Sequence, residues 1–254
     1  MTELNEGKIF VIGAAVGFLS GLLGKGGSAI TTPSLQIFAG VTPFAALASP
    51  LPATLPTTLS ASFAYRGKNL INGKVTLISI LLGIPATIIG SYFSNLIKGS
   101  VLMILTALFV LSLGISFFIT TSAELQVSKD IVPLWKIIIV AVTVGLLSGL
   151  LANSGGVLFG PLFIRFLKMP TKKALACSLI VSAGLAVPGT LAHWYFGHID
   201  WMIVLLLSLG SIPFSYIGAK VALRMNNIML EKIFAVMLVL FGGFDVFFTI
   251  THWK

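Results

Sequence analysis

Apolar residues fall along the chain in about ten blocks separated by short polar or charged breaks, the pattern of a chain that enters and leaves hydrocarbon repeatedly. In the first half the blocks run Ile9 to Gly24, Ser28 to Gly40, Phe44 to Tyr65, Val75 to Ile97 and Val101 to Thr120, and the second half follows suit from Leu134 to Thr251. Several reach the roughly 20 residues that an α-helix needs to cross a bilayer. The pattern predicts an all-α, polytopic membrane protein. Met1 to Gly7 carries Glu3 and Glu6 where a secretory leader is basic, and no small-residue cleavage site follows, so the first block is expected to stay in the mature protein.

One constant shift lays the chain on itself. It superimposes Gly17-Phe-Leu-Ser-Gly-Leu-Leu23 on Gly145-Leu-Leu-Ser-Gly-Leu-Leu151, Gly27 on Gly155, Pro33 on Pro161 and Ala46-Leu47-Ala48 on Ala174-Leu175-Ala176. The same shift pairs Pro85 with Pro213, Gly90 with Gly218 and Gly114 with Gly242. One unchanged register over such a length indicates internal duplication. It predicts two membrane repeats, residues 1–128 and 129–254, of about five helical segments each, together forming one transport domain.

An odd number of crossings per repeat makes the second repeat insert upside down, and the loop charges agree. Arg66, Lys68 and Lys74 follow the third segment of the first repeat, whereas the matching loop of the second offers only His198 and Asp200. In the second repeat Arg165, Lys168, Lys172 and Lys173 precede the third segment, and Lys220, Arg224 and Lys232 follow the fourth; Lys129 and Lys136 occupy the central linker. With both termini outside, all of these are cytoplasmic, and only Lys8, Lys98 and Lys254 face outward. That distribution obeys the positive-inside rule for an inverted-topology repeat, an architecture common to secondary transporters.

The first two segments are short and joined by Gly24-Lys-Gly-Gly27 with almost no polar loop. They are expected to form a helical hairpin whose glycine tip reaches membrane depth, which hydrocarbon permits only where the exposed backbone is buried in protein or lines a cavity. The second repeat places Asn153-Ser-Gly-Gly156 at the corresponding point, entering from the opposite face. Helix N-termini beginning there would aim unpaired N–H groups into the cavity, an arrangement that favours anions. The structural alternative is that small residues merely allow close helix packing. Lys25, Gly26, Gly27, Ser28, Asn153, Ser154, Gly155 and Gly156 are therefore the candidate substrate-binding residues of the two tips.

The third segment adds a second break, because Ser49-Pro-Leu-Pro-Ala-Thr-Leu-Pro-Thr-Thr58 puts three prolines into an apolar stretch. Such a density is expected to interrupt a regular helix and to free carbonyls, which Thr54, Thr57 and Thr58 either re-satisfy or leave for substrate. The matching stretch of the second repeat offers Ser178 and Ser182, with Pro188 beyond.

Composition narrows the class further. Hydrophobic residues make up 57% of the chain and charged residues 9%, with a mean hydropathy of +1.06, far from a soluble domain. The net charge of +9 is a topology signal and not a nucleic-acid footprint. One cysteine, Cys177, excludes an internal disulfide and reads as a small core residue. Three histidines, one cysteine and seven scattered methionines make no metal cluster. No Walker loop, H-E-x-x-H or nucleophile elbow occurs, so ATP drive and hydrolysis lack support, and no cofactor is expected.

The pattern G-x-x-S-G-L-x-G-x-G-G followed by Pro33, its degenerate repeat, and Gly197-His-Ile-Asp-Trp201 opening a later helix together resemble the sulfite exporter TauE/SafE family. The likeness covers nearly the whole chain, and the duplicated order of its motifs makes it specific. It implies a bacterial inner-membrane permease for sulfite, sulfonates and related sulfur-containing anions. Two departures stand out: the family usually has an apolar residue where this chain places Lys25, and the second repeat carries Asn153 and Ser154 in place of glycines. An ionisable residue at membrane depth is a functional candidate by default, unless it lies near enough to the surface to snorkel.

Asp245, the only acid inside an apolar segment, and His193 at a segment end are weak candidates for proton coupling. Trp135, Trp194, Trp201 and Trp253 sit near segment ends as interface anchors. The expected function is a secondary transporter of sulfite or a small organosulfonate, driven by protons or membrane potential, its direction left open by the sequence; an anion channel and an intramembrane enzyme are the alternatives. Its partners are the small anion and membrane lipid, with no nucleic acid, and the sequence leaves the oligomeric state open, a homodimer included.

Overall fold

The computed structural model describes residues 6–24, 28–94, 96, 108, 111–112, 114–116, 132–151 and 155–252. The expected fifth segment of the first repeat, Val101 to Thr120, lies almost wholly outside them. The described residues are helical, without a strand. Helix α1 spans Glu6–Leu22, α2 Ser28–Ala39, α3 Pro43–Ala48, α4 Pro50–Ala64 and α5 Gly73–Ser94. Beyond the central linker, α6 spans Leu134–Leu150, α7 Gly156–Arg165, α8 Thr171–Tyr195, α9 Trp201–Arg224 and α10 Asn227–His252. Among the described residues α5, α8, α9 and the Asn227–Phe244 stretch of α10 are long and apolar enough to cross a membrane.

The faces of α5 show what solvent this fold is built for. Leu77, Leu81 and Ile88 are exposed, while Ser79, Thr87 and Ser91 of the same helix are buried. Apolar outside and hydroxyl inside suits lipid, where the interior gains nothing from being more apolar than its surroundings.

Glycine sets the helix crossings. Gly13, Gly17 and Gly21 of α1 lie on the backbone of Leu207, Ser211 and Ser215 of α9, so close that a Cβ on Gly21 would stand 1.9 Å from the Ser215 carbonyl oxygen. α6 meets α5 in the same manner, Gly145 against Gly83 and Gly149 against Thr87. Numbers rise together in both pairs, so each pair is parallel. At the centre α4 crosses α8 antiparallel, with Leu51 on Gly189 and Ala61 and Tyr65 clustered with Ala176 and Leu179. α4 also runs parallel to α9, since Asp200 N–H donates to Ser49 Oγ and Ser215 Oγ donates to the Thr57 carbonyl. α5 runs parallel to α8, where Asn72 N–H meets Cys177 Sγ and Gly184 meets Ile80. Helices α1, α4 and α9 thus point one way, and α6, α8 and α5, which the shift of Gly17 onto Gly145 makes their respective counterparts, point the other.

That one shift also carries helix starts onto helix starts: Glu6 of α1 onto Leu134 of α6, Ser28 of α2 onto Gly156 of α7, Pro43 of α3 onto Thr171 of α8, and Gly73 of α5 onto Trp201 of α9. One end of the bundle gathers Arg66, Lys68, Lys74, Lys136, Arg165, Lys168, Lys172, Lys173, Lys220, Arg224 and Lys232, at the foot of α5, α6, α8 and α10 and the head of α4, α7 and α9. Lys8 is the one described lysine or arginine at the other end.

The proline-rich stretch departs from expectation: it stays helical. Pro50 and Pro52 fall in the first turn of α4, where N–H groups have no intrahelical acceptor, so only Pro56 removes an interior bond. Ser49, with φ −62° and its N–H on the Ala45 carbonyl at 2.9 Å, closes α3 and is the N-cap of α4.

Candidate functional site

The prolines position three threonines on α4, and their hydroxyls turn first to their own helix. Thr54 Oγ1 donates to the Pro50 carbonyl at 2.9 Å, Thr57 to Ala53 at 2.6 Å and Thr58 to Thr54 at 2.7 Å. These bonds brace a helix weakened by Pro56. Thr57 does more: its hydroxyl pairs with Ser211 Oγ of α9 at 2.5 Å, and its carbonyl accepts from Ser215 Oγ at 2.9 Å. The Thr57 and Ser211 side chains then face a cavity of about 20 Å³ together with Gly13, Val16, Thr31, Pro50, Ala53 and Leu207. That is room for one water-sized group among hydroxyls. The cavity lies where α1, α2 and α4 meet α9, so elements from both halves of the chain form its walls.

The connection between α1 and α2 reaches across to α8. Gly24 ends α1 in the left-handed conformation, φ +60°, and its carbonyl accepts from Ser178 Oγ at 2.9 Å. A Cβ at Gly24 would stand 2.7 Å from that Oγ and 2.9 Å from Leu175 Cα, so only glycine fits. In the second half Gly155, φ +69°, is the N-cap of α7 with no side chain capping it. It is wedged between Val144 of α6 and the ring of Phe159. Gly24 and Gly155, the described residues at the edges of the two glycine-rich stretches, are both buried in protein.

Several expected residues are placed and others are not. Thr57, Thr58 and Ser182 lie at one level of the α4–α8 crossing, and Ser178 one turn nearer the basic end. Ser182 is fully buried, with no partner for its hydroxyl. Lys25, Gly26, Gly27, Asn153 and Ser154 lie outside the described residues, and Ser28 and Gly156 are the first residues of α2 and α7. Asp245 falls on α10, and its side chain lies outside the described set. His193 is buried at the end away from the basic cluster, its Nδ1 3.4 Å from that of His198. Partial burial in the α8–α9 loop lowers the His198 imidazole below its ordinary range.

Four residues escaped the pattern. Thr31 and Ser211 line the cavity. Gln36 of α2 buries both amide atoms without a partner, and its place inside an apolar segment was the available signal. Glu231 of α10, at 3% exposure, accepts from Thr171 Oγ1 at the basic end of the bundle, with Arg165 charge nearby. The α7–α8 corner folds over the first turn of α10, which no local periodicity reveals. Cys177 is buried, as expected of a core residue, and Trp135, Trp194 and Trp201 are exposed at helix ends.

Comparison with known proteins points one way. The profile of the family described as Sulfite exporter TauE/SafE matches residues 9–244. The chain is 26% identical over 262 residues to probable membrane transporter protein YunE of Bacillus subtilis (strain 168), covering 92% of this chain and 94% of that one. It is 28% identical over 233 residues to a probable membrane transporter protein of Xylella fastidiosa (strain 9a5c), covering 89% of each. Against probable membrane transporter protein MJ0441 of Methanocaldococcus jannaschii it is 26% identical over 253 residues, covering 90% and 92%. No solved structure matches the chain.

Proposed function

This chain belongs to the sulfite exporter TauE/SafE family, and from that premise we propose that it is a secondary transporter of sulfite or a small organosulfonate, working by alternating access in a bacterial inner membrane. The observation that carries the reading is the small cavity at the meeting of α1, α2, α4 and α9, lined in part by the hydroxyl residues Thr31, Thr57 and Ser211. Oxyanions are held by donors in a water-poor site, and hydroxyls, helix N-termini and a nearby lysine supply them. In this reading the anion sits between the two glycine breaks, on N–H groups near Gly26, Gly27, Ser28, Gly155 and Gly156, with Lys25 supplying charge. Asn153 and Ser154 add donors from the second break. Thr57, Ser211, Thr31 and Ser178 complete the shell, while Thr54 and Thr58 brace α4.

Two inverted repeats, 1–128 and 129–254, give this site its two gates. The opposed directions of α1, α4 and α9 and of their counterparts α6, α8 and α5 support that reading. The basic cluster marks the cytoplasmic end by the positive-inside rule, which leaves Glu6 and His252, at the start of α1 and the end of α10, on the outer side. Nothing in the sequence binds nucleotide, so a proton gradient or the membrane potential drives the cycle, and the family name supports outward transport.

The test is direct. Purified protein is screened by thermal shift against sulfite, sulfate, thiosulfate, taurine, isethionate and sulfoacetate, and reconstituted protein is assayed for counterflow of whichever anion stabilises it. Sulfite or a sulfonate should raise the melting temperature and show counterflow. Stabilisation by none of these anions, or binding without counterflow, refutes the proposal.

A further inference from the structure

A line of buried hydroxyls runs between α5 and α8 without partners. Ser79, Thr87 and Ser91 of α5 and Ser182 of α8 are no more than 1% exposed, and none of their oxygens meets a hydrogen-bond partner. The Nε2 of His193 is buried with only the backbone of Gly149 to meet it. Thr54, Thr57 and Thr58 of α4, by contrast, bond back to their own helix. An orphaned buried polar group is costly enough that a native structure keeps one for a reason.

The two helices run in step. Asn72 at the foot of α5 donates to Cys177, Ile80 lies on Gly184, Leu185 on Gly83, and Thr87 near Gly189. This register sets Ser79 level with Ser182 and Ser91 level with His193. Gly149 of α6 is pressed on Thr87 and Ser91, and the ring of His193 lies against the same Gly149. Toward the basic end the line continues through Thr76, whose hydroxyl bonds the Asn72 carbonyl. From Asn72 to Ser91 is roughly 28 Å at the helical rise, close to the thickness of the hydrocarbon core.

One apolar side chain interrupts it. Leu185, fully buried, seats on Gly83 between the Ser79 and Thr87 levels. The counterparts of these two residues in the other repeat are Thr57 and Ser211, which do form a hydroxyl pair.

We infer that the hydroxyl line between α5 and α8 is the proton path of this transporter, gated by Leu185 and ending at His193 and His198. The inference rests on the transporter reading above and deepens it by naming the coupling ion and its route. Side chains fill the α5–α8 seam, Leu185 against Gly83 and Ile80 against Gly184, which leaves no width for a sulfur oxyanion. Protons need only successive donors and acceptors, with water entering as Leu185 moves. The titratable groups beside His193 are His198 and Asp200, whose carboxylate is held by the N–H groups of Met202 and Ile203, and Glu6 and Lys8 of α1 lie at the same end of the bundle. Lys74 of α5, Lys136 of α6, Arg165 of α7 and Lys172 and Lys173 of α8 lie at the opposite end, and α3 and α4 carry no charged residue.

Reconstituted protein under a valinomycin-imposed potassium potential, with internal pH read by pyranine, tests the path without any substrate. Wild-type vesicles should be nearly proton-tight. Leu185→Thr should raise proton entry at least tenfold, and Thr87→Val added to it should restore the rate to within twofold of wild type. A folded Leu185→Thr protein no leakier than wild type overturns the path, as does a leak that ignores Thr87→Val. Should Leu185→Thr fail to fold, His193→Gln decides: sulfite-driven proton movement should fall tenfold while sulfite counterflow stays within twofold of wild type. Unchanged proton movement in His193→Gln, or wild-type counterflow with no proton movement, overturns the path and leaves the transporter standing. Absence of counterflow refutes the transporter reading instead, a distinction the substrate-free leak makes visible.

Discussion

Thr57 is the residue on which the candidate site turns, because it bonds its own helix, pairs with Ser211 of α9 and faces the cavity. Thr57→Val keeps the shape and removes the hydroxyl, so anion affinity measured by isothermal titration should fall about two- to tenfold, the worth of one hydrogen bond. Ser211→Ala should cost a similar amount, and the double variant less than the sum, since the two hydroxyls share one bond. Lys25 carries the larger expectation. Lys25→Ala should weaken sulfite or sulfonate binding at least tenfold, about 1.4 kcal/mol, while melting of the empty protein stays nearly constant. Unaltered affinity with lost stability would make Lys25 structural. Gln36 offers the opposite signature: Gln36→Leu removes an orphaned buried amide, so it should raise the melting temperature, by up to about 1–3 kcal/mol of stability. A fall in melting temperature would show that the amide is partnered in the membrane.

At the scale of elements, the fold depends on helices that approach to backbone contact, and glycine permits this where any side chain would block it. Gly21 is the severest case, with the Ser215 carbonyl where its Cβ would stand. Gly21→Val must push α1 off α9 and is expected to cost about 3 kcal/mol or more, read as lost monodispersity or a collapse in melting temperature. Gly7→Ala is the control, for nothing lies within 4 Å of its would-be Cβ, and it should melt like wild type. Gly155→Ala tests the second break by a different route. The left-handed backbone there costs a residue with a Cβ about 1–2 kcal/mol, and the Val144 and Phe159 contacts add to it. Because Gly155 caps α7, this variant is expected to damage anion binding beyond its effect on stability.

Over the whole molecule, charge and direction sort together. The basic end collects the described lysines and arginines except Lys8, and helices that correspond between the two halves run oppositely. Single cysteines in a Cys177→Ser background test the orientation inferred from this. Cysteines at Lys68 and Lys172 should resist an impermeant external thiol reagent in intact cells, and one at Asp200 should react. Ready external labelling of the first two would reverse the assigned topology.

Much of this was legible in the chain itself. Hydrophobic blocks of bilayer length, scarce charge and the order of glycine motifs were enough to indicate a polytopic helical protein of this family, because transfer into lipid is decided residue by residue along a segment. The shift that lays Gly17 on Gly145 located the helix starts of the second half from those of the first. What the pattern misjudged was local chemistry set by position. Three prolines suggested a break, yet two of them fall in a first turn, where a missing N–H costs nothing. Only the tertiary structure decided which hydroxyls meet. Thr57 and Ser211 stand 154 residues apart, and a periodicity of 3.6 residues says which face of a helix is polar without saying which helix that face will touch. The same holds for Glu231, buried by Thr171 from another helix, and for the unpartnered hydroxyls of α5 and α8. Each looks like an ordinary polar residue in an apolar segment until packing removes it from water.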